Sequence, residues 1–165
     1  MGNKIKLRKI TKSDLKYFLK WWKDKELIRL TSGVYEKSEK VLTGYFLNFF
    51  KNNRNHHFIL LLNNKVIGHL SLSHKNNKIS ELHIIIGEEK YRGKGYGLKA
   101  IEEATKIAFN KLGYKQIYLE VRPNNRHAID TYKKSGFIAV GFKKYPNNKF
   151  QPLVLKMILS KNDLA

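Results

Sequence analysis

The sequence predicts a mixed α/β protein, with a mostly antiparallel sheet of roughly six to seven strands flanked by about four helices. Three observations carry this expectation. Across residues 57–86, three apolar runs rich in Ile, Leu and Val are joined by short Asn-Asn turns, as in an antiparallel meander. From Tyr96 onward the pattern becomes helix, strand, helix. A strand on each side of the first of those helices implies one parallel crossover. A doubly wound sheet would alternate strand and helix throughout, which the first half of the chain does not do.

Taken in order, residues 4–10 place Ile5, Leu7 and Ile10 in an opening strand. Thr11-Lys12-Ser13-Asp14 has the form of a helix cap with an acidic residue three positions on. Leu15, Phe18, Leu19 and Trp22 then recur at helical spacing, giving a helix to about Asp24 with Trp22 on its core face. Gly33 breaks the next segment, and Ser38 opens a second helix whose apolar face is Val41, Leu42, Tyr45, Phe46 and Phe49. Strands follow at 57–62, 65–73 and 78–86. Asn63-Asn64 and Asn76-Asn77 tolerate the left-handed backbone of tight hairpins. The rest reads as helix 96–111, strand 116–122, helix 125–135, and strands 137–144 and 153–159. No linker or repeat divides the 165 residues, so a single domain over 1–165 is expected.

Composition bounds the partners. There are 33 basic and 13 acidic side chains, a formal net charge of +20. Such a field draws anions, and nucleic acid or the ribosome among them. Many of the lysines sit beside paired asparagines in loops, which is equally what a biased composition produces. No apolar run is long enough to span a bilayer, and Met1-Gly2-Asn3-Lys4 lacks a signal-peptide core, so a cytoplasmic protein is expected. The chain has no cysteine, which excludes thiolate chemistry by the protein. Its six histidines show no metal-ligand spacing, and no metal is expected.

The most informative stretch is Ile84-Ile85-Ile86-Gly87-Glu88-Glu89-Lys90-Tyr91-Arg92-Gly93-Lys94-Gly95-Tyr96-Gly97-Leu98. A strand leads into a turn with alternate glycines and then a helix. Uncovered N–H groups and the helix dipole make that turn an anion site, with Arg92, Lys94 and Lys99 nearby. Neither phosphate-loop spacing nor G-x-G-x-x-G is present, since position 98 is leucine. Glu120, about twenty residues downstream, lies inside a strand rather than at the strand end that a dinucleotide site uses. What remains is R-x-x-G-x-G, here Arg92-Gly93-Lys94-Gly95-Tyr96-Gly97.

This loop resembles the coenzyme A pyrophosphate loop of the GNAT acetyltransferase superfamily. Downstream, Asn125-Arg126-His127-Ala128-Ile129-Asp130-Thr131-Tyr132-Lys133-Lys134-Ser135-Gly136-Phe137 is similar to that superfamily's N-x-x-A-I-x-x-Y-x-x-x-G-F signature. The spelling around the glycines resembles the RimJ/RimL branch, which includes ribosomal-protein alanine acetyltransferases; spermidine acetyltransferases share much of it. The resemblance implies acetyl-CoA as co-substrate, bound through Ile85, Ile86, Arg92, Gly93, Lys94, Gly95, Tyr96, Gly97, Leu98 and Asn125. The backbone of Ile85 and Ile86 would pair with the pantetheine arm where the sheet splays, and aromatics such as Trp21, Trp22 and Tyr35 would border the amine acceptor.

Acetyl transfer to an amine needs a proton taken from the amine and one given to the departing thiolate. The resemblance makes Tyr132 the acid. Glu81 and His83 share a strand face with Ile85, and either is a candidate base, the glutamate if burial raises its pKa. A chain of waters is the alternative. The acceptor is a protein N-terminus, a polyamine, an aminoglycoside or a nucleotide-linked amino sugar. A polycation would need carboxylates, for which Glu26, Glu36, Glu39 and Glu81 are candidates. A monomer or homodimer fits equally. The competing expectation is a non-catalytic basic module that binds RNA or ribosome and keeps only the fold.

Overall fold

The computed structural model describes residues 2–35 and 37–164. Seven strands form one sheet: β1 (Ile5–Lys9), β2 (His56–Leu62), β3 (Lys65–His74), β4 (Ile79–Ile86), β5 (Gln116–Val121), β6 (Ile138–Lys144) and β7 (Leu153–Ser160). Their order is β1-β2-β3-β4-β5-β7-β6. Only β4 and β5 run parallel; every other pair is antiparallel. The five α-helices are α1 (Leu15–Trp21), α2 (Lys25–Leu30), α3 (Glu39–Asn48), α4 (Tyr96–Lys106) and α5 (Arg126–Lys134). Helix α4 is the crossover between β4 and β5, and its last turn, Ile107–Lys111, is wound as a π-helix.

Each face of the sheet has its own core. On one side Ala100, Ile101, Ala104 and Ala108 of the α4 region pack against Ile67, Leu70, Leu72, Ile117 and Leu119. Small residues let the helix approach closely, and the strands supply the bulk. On the other side Phe18, Trp21, Leu27 and Phe46 of α1–α3 cover Ile10 and Ile59. Successive β4 residues serve opposite cores, Ile84 and Ile86 one and Ile85 the other, as pleating requires.

Several expectations are corrected here. The fifth helix, α2, was not anticipated, although Asp24 caps it by accepting from the backbone N–H of Glu26 and Leu27 at 3.0 and 3.2 Å. Trp21, not Trp22, is the buried tryptophan, with 1% of its surface exposed. Room for its indole comes from Gly87, where a Cβ would lie inside the ring, so the periodicity of α1 alone does not reveal it. On α3, Leu42 and Phe46 are buried, whereas Val41 and Tyr45 are exposed. Asn63 and Asn64 do adopt positive φ, 49° and 66°. Asn76 and Asn77 do not. Instead the Asn76 carboxamide accepts from the N–H of Lys78 and Ile79, a side-chain turn that needs no left-handed backbone.

Strands β2 and β3 carry a bulge. Leu60 pairs with Gly68 but Leu61 with Val66, leaving Ile67 extra. An unbroken hairpin register would place His57 and His69 on opposite faces; the added residue puts them on the same one. The Ile67 carbonyl is not orphaned, since it accepts from the N–H of Glu88 at 3.1 Å.

The fit of Trp21 to Gly87 has a direct consequence. Gly87→Ala should lower unfolding stability by about 2–3 kcal/mol in urea titration, through overpacking. Gly44→Ala, on a helical position with open space around it, should raise stability by about 0.5–1 kcal/mol.

Candidate active site

Strands β4 and β5 pair over only three positions: Ile79 with Gln116, Ser80 with Ile117 and Glu81 with Tyr118. Beyond Glu81 they diverge, and the remaining length of β4 meets no partner on that side. This wedge opens a line of backbone donors and acceptors at Leu82–Ile86 beside the end of the strand.

The glycine turn lies just past that end. Gly93 and Gly95 have φ of 69° and 80°, and a Cβ on either would project into open space. Gly95 is the N-cap of α4 and has no side chain to cap with, so the first N–H groups of the helix stay uncovered. Gly97 lies within ordinary contact of Thr131 on α5. Tyr96 packs edge-on against Tyr91 with ring centres 6.0 Å apart, and Leu98 is half-buried. Lys94 is exposed beside the turn, while the Lys99 ammonium donates to the Asn3 carbonyl at 3.2 Å.

Arg92 behaves differently from the expectation of a coenzyme ligand. Its guanidinium donates to the carbonyls of Ile86 at 2.9 Å and Gly87 at 2.7 Å, and pairs with Asp24 at 2.7 Å. Three internal acceptors therefore claim the fork, and it clamps the strand end rather than reaching into the turn. Alongside it, Glu88 accepts from the Trp21 indole N–H at 3.0 Å and pairs with Lys20 at 2.7 Å.

From the opposite side, Asn125 caps α5 by accepting from the Ala128 N–H at 3.3 Å, and it borders the cleft. Tyr132 on α5 packs with the α4-side core yet also borders the cleft that lies over the other face. Its hydroxyl makes no hydrogen bond among the described residues, and burial pushes that hydroxyl up to about 12. A tyrosine so placed is protonated across the neutral range, the state an acid requires.

The cleft has a volume of about 870 Å³. Trp22, Leu42, Tyr45 and Phe49 form its wall, and His57, His69, Ser71, Ser73, Glu81 and His83 its floor. Tyr35 is exposed and does not border it. Glu81 and His83 do lie together, 3.3 Å apart, but the expected upward shift of Glu81 is reversed. Desolvation pushes its carboxyl up, and the hydrogen bonds and charges of His83 and Lys75 outweigh that, holding it at about 2. With Lys75 at 2.7 Å and the Tyr118 hydroxyl at 3.2 Å, it is a weak base and a strong anchor.

The proposed acidic cluster does not assemble. Glu26 pairs with Arg29 and Glu39 with Lys23, away from the cleft, and Glu36 lies outside the described residues. Among the described residues the bordering carboxylates are Glu81 and Glu120, the latter accepting from the Tyr145 hydroxyl at 2.7 Å. Lys37 and Arg122 also border the cleft. No group of three or more His, Asp or Glu among the described residues could hold a metal ion, and none of their helices is long and apolar enough to cross a membrane.

Sequence reasoning missed the pair on the floor. His57 Nδ1 and His69 Nε2 are 3.1 Å apart, with the rings stacked at 6°. Phe49 lies flat against His57 at 4.0 Å, and Phe18 meets His69 edge-on at 4.8 Å. Only the bulge at Ile67 makes the pair possible, and nothing in the spacing of the two histidines signals it.

The sequence profile described as the Acetyltransferase (GNAT) family matches residues 10–137. The chain belongs to that family. This bears out the resemblance carried by the glycine turn and the Asn125–Phe137 signature. Among curated relatives, an uncharacterized N-acetyltransferase of Methanocaldococcus jannaschii is 28% identical over 137 residues, covering 79% of this chain and 59% of its own length. The chain thus spans well under two thirds of that relative. The spermidine N(1)-acetyltransferase of Escherichia coli K12 is 26% identical, covering 85% of this chain and 76% of its own. In structure, the Vibrio cholerae spermidine N-acetyltransferase, solved with CoA and spermine, superposes with a TM-score of 0.85 at 21% identity, covering 98% of each chain. The aminoglycoside acetyltransferase AAC(6')-Ib, solved with coenzyme A, gives 0.83 at 19% identity, covering 96% of each. Both share the fold, at sequence identities that speak for the fold alone.

The open space and bare N–H groups at Gly95 define the next test. Gly95→Asp should weaken acetyl-CoA binding by more than about 10-fold, because it adds a carboxylate to an anion cradle. Gly95→Asn, which tolerates the same backbone without the charge, should retain most of it; isothermal titration of the two variants is the check.

Proposed function

We propose that this chain binds acetyl-CoA along the open edge of β4 and at the glycine turn, and transfers the acetyl group directly to a primary amine in the adjoining cleft. The observation that carries the proposal is the wedge between β4 and β5. It joins the bare turn at Gly93–Gly97 to a cleft bordered by the unpaired hydroxyl of Tyr132. The residues fit the coenzyme. Backbone groups at Leu82–Ile86 suit the amides of an extended arm added as a pseudo-strand, and the N–H groups at the start of α4 suit its pyrophosphate. Lys94 adds positive charge beside them. Arg92 contributes by fixing the strand end.

In this reading Tyr132 donates its proton to the sulfur as the thioester C–S bond breaks and the amine nitrogen forms its bond to the carbonyl carbon. Direct transfer requires no protein nucleophile, which suits a chain without cysteine. Holding both reactants at one gap supplies much of the rate enhancement through proximity.

The cleft favours an amine on a neutral or anionic carrier, with a polypeptide N-terminus the first choice. Lys37 and Arg122 border it, and its described carboxylates already hold internal partners. A polyamine is the second reading, favoured by the names of the relatives rather than by the site. With this function go a single catalytic domain over residues 1–165, a cytoplasmic location and a monomer or homodimer.

Free-thiol release from acetyl-CoA, across N-terminal peptides, polyamines, aminoglycosides and nucleotide-linked amino sugars, tests the assignment. Turnover is expected with one amine class, and Tyr132→Phe should lower kcat by about 100-fold. Because the hydroxyl stays protonated up to about 12, kcat/KM should rise with amine deprotonation and show no downturn before pH 10. Absence of both turnover and coenzyme binding, with salt-sensitive RNA binding in their place, would favour the non-catalytic basic module.

A further inference from the structure

We propose that His57 and His69 form a neutral proton relay that carries away the proton lost by the acceptor amine. The inference rests on the acetyl-transfer reading and supplies the missing basic partner to Tyr132. Its basis is geometric. The two imidazoles share one hydrogen bond, between Nδ1 of His57 and Nε2 of His69, at 3.1 Å. His69 stands opposite Ile85 in the β3–β4 ladder, at the point where β4 has left β5. Both rings border the cleft. The outer nitrogens, His69 Nδ1 and His57 Nε2, make no hydrogen bond, yet no fully buried side-chain nitrogen among the described residues lacks a partner. Those two nitrogens therefore keep some exposed surface, on two side chains that line the cleft.

A hydrogen-bonded pair of neutral imidazoles has one shared proton, one outer N–H and one outer lone pair. In the productive arrangement His69 Nε2–H donates to His57 Nδ1. The amine proton, directly or through a cleft water, binds His69 Nδ1. The shared proton then shifts to His57 Nδ1, and the proton on His57 Nε2 leaves to water. One proton enters, one leaves, and neither ring keeps a charge. Exchange with cleft water restores the starting tautomers once product has gone.

A relay suits this site better than a stored proton. Burial lowers His57 to about 4 and His69 well below its ordinary value, so a standing imidazolium is unfavourable in either ring. The groups facing the pair reinforce this. His83 from β4 and His56 from β2 oppose added positive charge, Glu81 is already engaged by Lys75 and His83, and Phe18 of α1 and Phe49 just past α3 pack uncharged rings against the pair. Lys37 adds a further positive charge along the cleft.

The test compares wild type with His69→Gln and His57→Gln, using the amine that wild type turns over. Each variant is expected to lose on the order of 100-fold in kcat at pH 7, with acetyl-CoA binding unchanged. The loss should shrink as the pH passes the amine's own pKa, because the free-base amine has already given its ammonium proton to solvent. The double variant should be no worse than either single one, as expected of groups that act as a unit. A pH-independent loss accompanied by a fall in Tm would mean that the pair only packs, and would overturn the relay. Undiminished kcat in a folded variant would overturn it too, leaving acetyl transfer intact. A wild type that neither binds acetyl-CoA nor turns over any amine would sink both readings together.

Discussion

The contact between Trp21 and Gly87 is the constraint on which the site depends. Where β4 ends, an indole occupies the space that any side chain at position 87 would need. Arg92 closes the same corner by holding the carbonyls of Ile86 and Gly87 against Asp24 at the head of α2. The Glu88 carboxylate ties back to Trp21 and Lys20, while its N–H closes the β3 bulge at Ile67. Four segments thus meet at one strand end. That end of β4 is held in place where β5 no longer pairs with it, and the wedge lies between them. A free strand edge is ordinarily a liability; here it is confined to a few residues between two cores.

The same corner organises the chemistry on both sides of the sheet. The bulge that delivers the Ile67 carbonyl to Glu88 also shifts the β3 register, placing His69 and Ser71 on the cleft face with His57 and His83. On the other face α4 and α5 bring the bare turn and Tyr132 to the wedge from behind. The proposed acid and the proposed relay therefore approach the gap from opposite faces, Tyr132 packed with one core and the histidines against Phe18 and Phe49 of the other. That separation lets one group stay protonated and the other stay neutral, each in its own poorly solvated surroundings.

Much of this was legible in the sequence, for identifiable reasons. Strands and helices with their own periodicity, caps or turn residues were placed within a residue or two, as at Ser38, Asn63-Asn64 and Asn125. The glycine turn was readable because its spacing is local, and Tyr132 stood out only through the resemblance of the Asn125–Phe137 signature. What escaped depends on distant partners. Trp21 is core because of Gly87, 66 positions away by the numbering of the chain. Arg92 carries the charge an anion site wants, but three acceptors brought in by the fold claim it. Glu81 lies on a strand face that suggests a base, yet Lys75 from across the turn and His83 from the same strand converge on it and hold it ionised. The His57–His69 pair hinges on a one-residue bulge, and no pattern of alternation announces one. Helix α2 is the exception, since Asp24 before Leu27 and Ile28 was a usable signal.

The central claim is that acetyl-CoA completes the sheet along the unpaired edge of β4. Hydrogen–deuterium exchange with and without saturating acetyl-CoA measures this amide by amide. Slowed exchange is expected at Leu82–Ile86, where N–H groups face the wedge, and at residues 93–98 at the start of α4, with β1, β2 and β6 unchanged. Exchange at Leu82–Ile86 that is the same with and without the coenzyme, under conditions where it demonstrably binds, would contradict the claim.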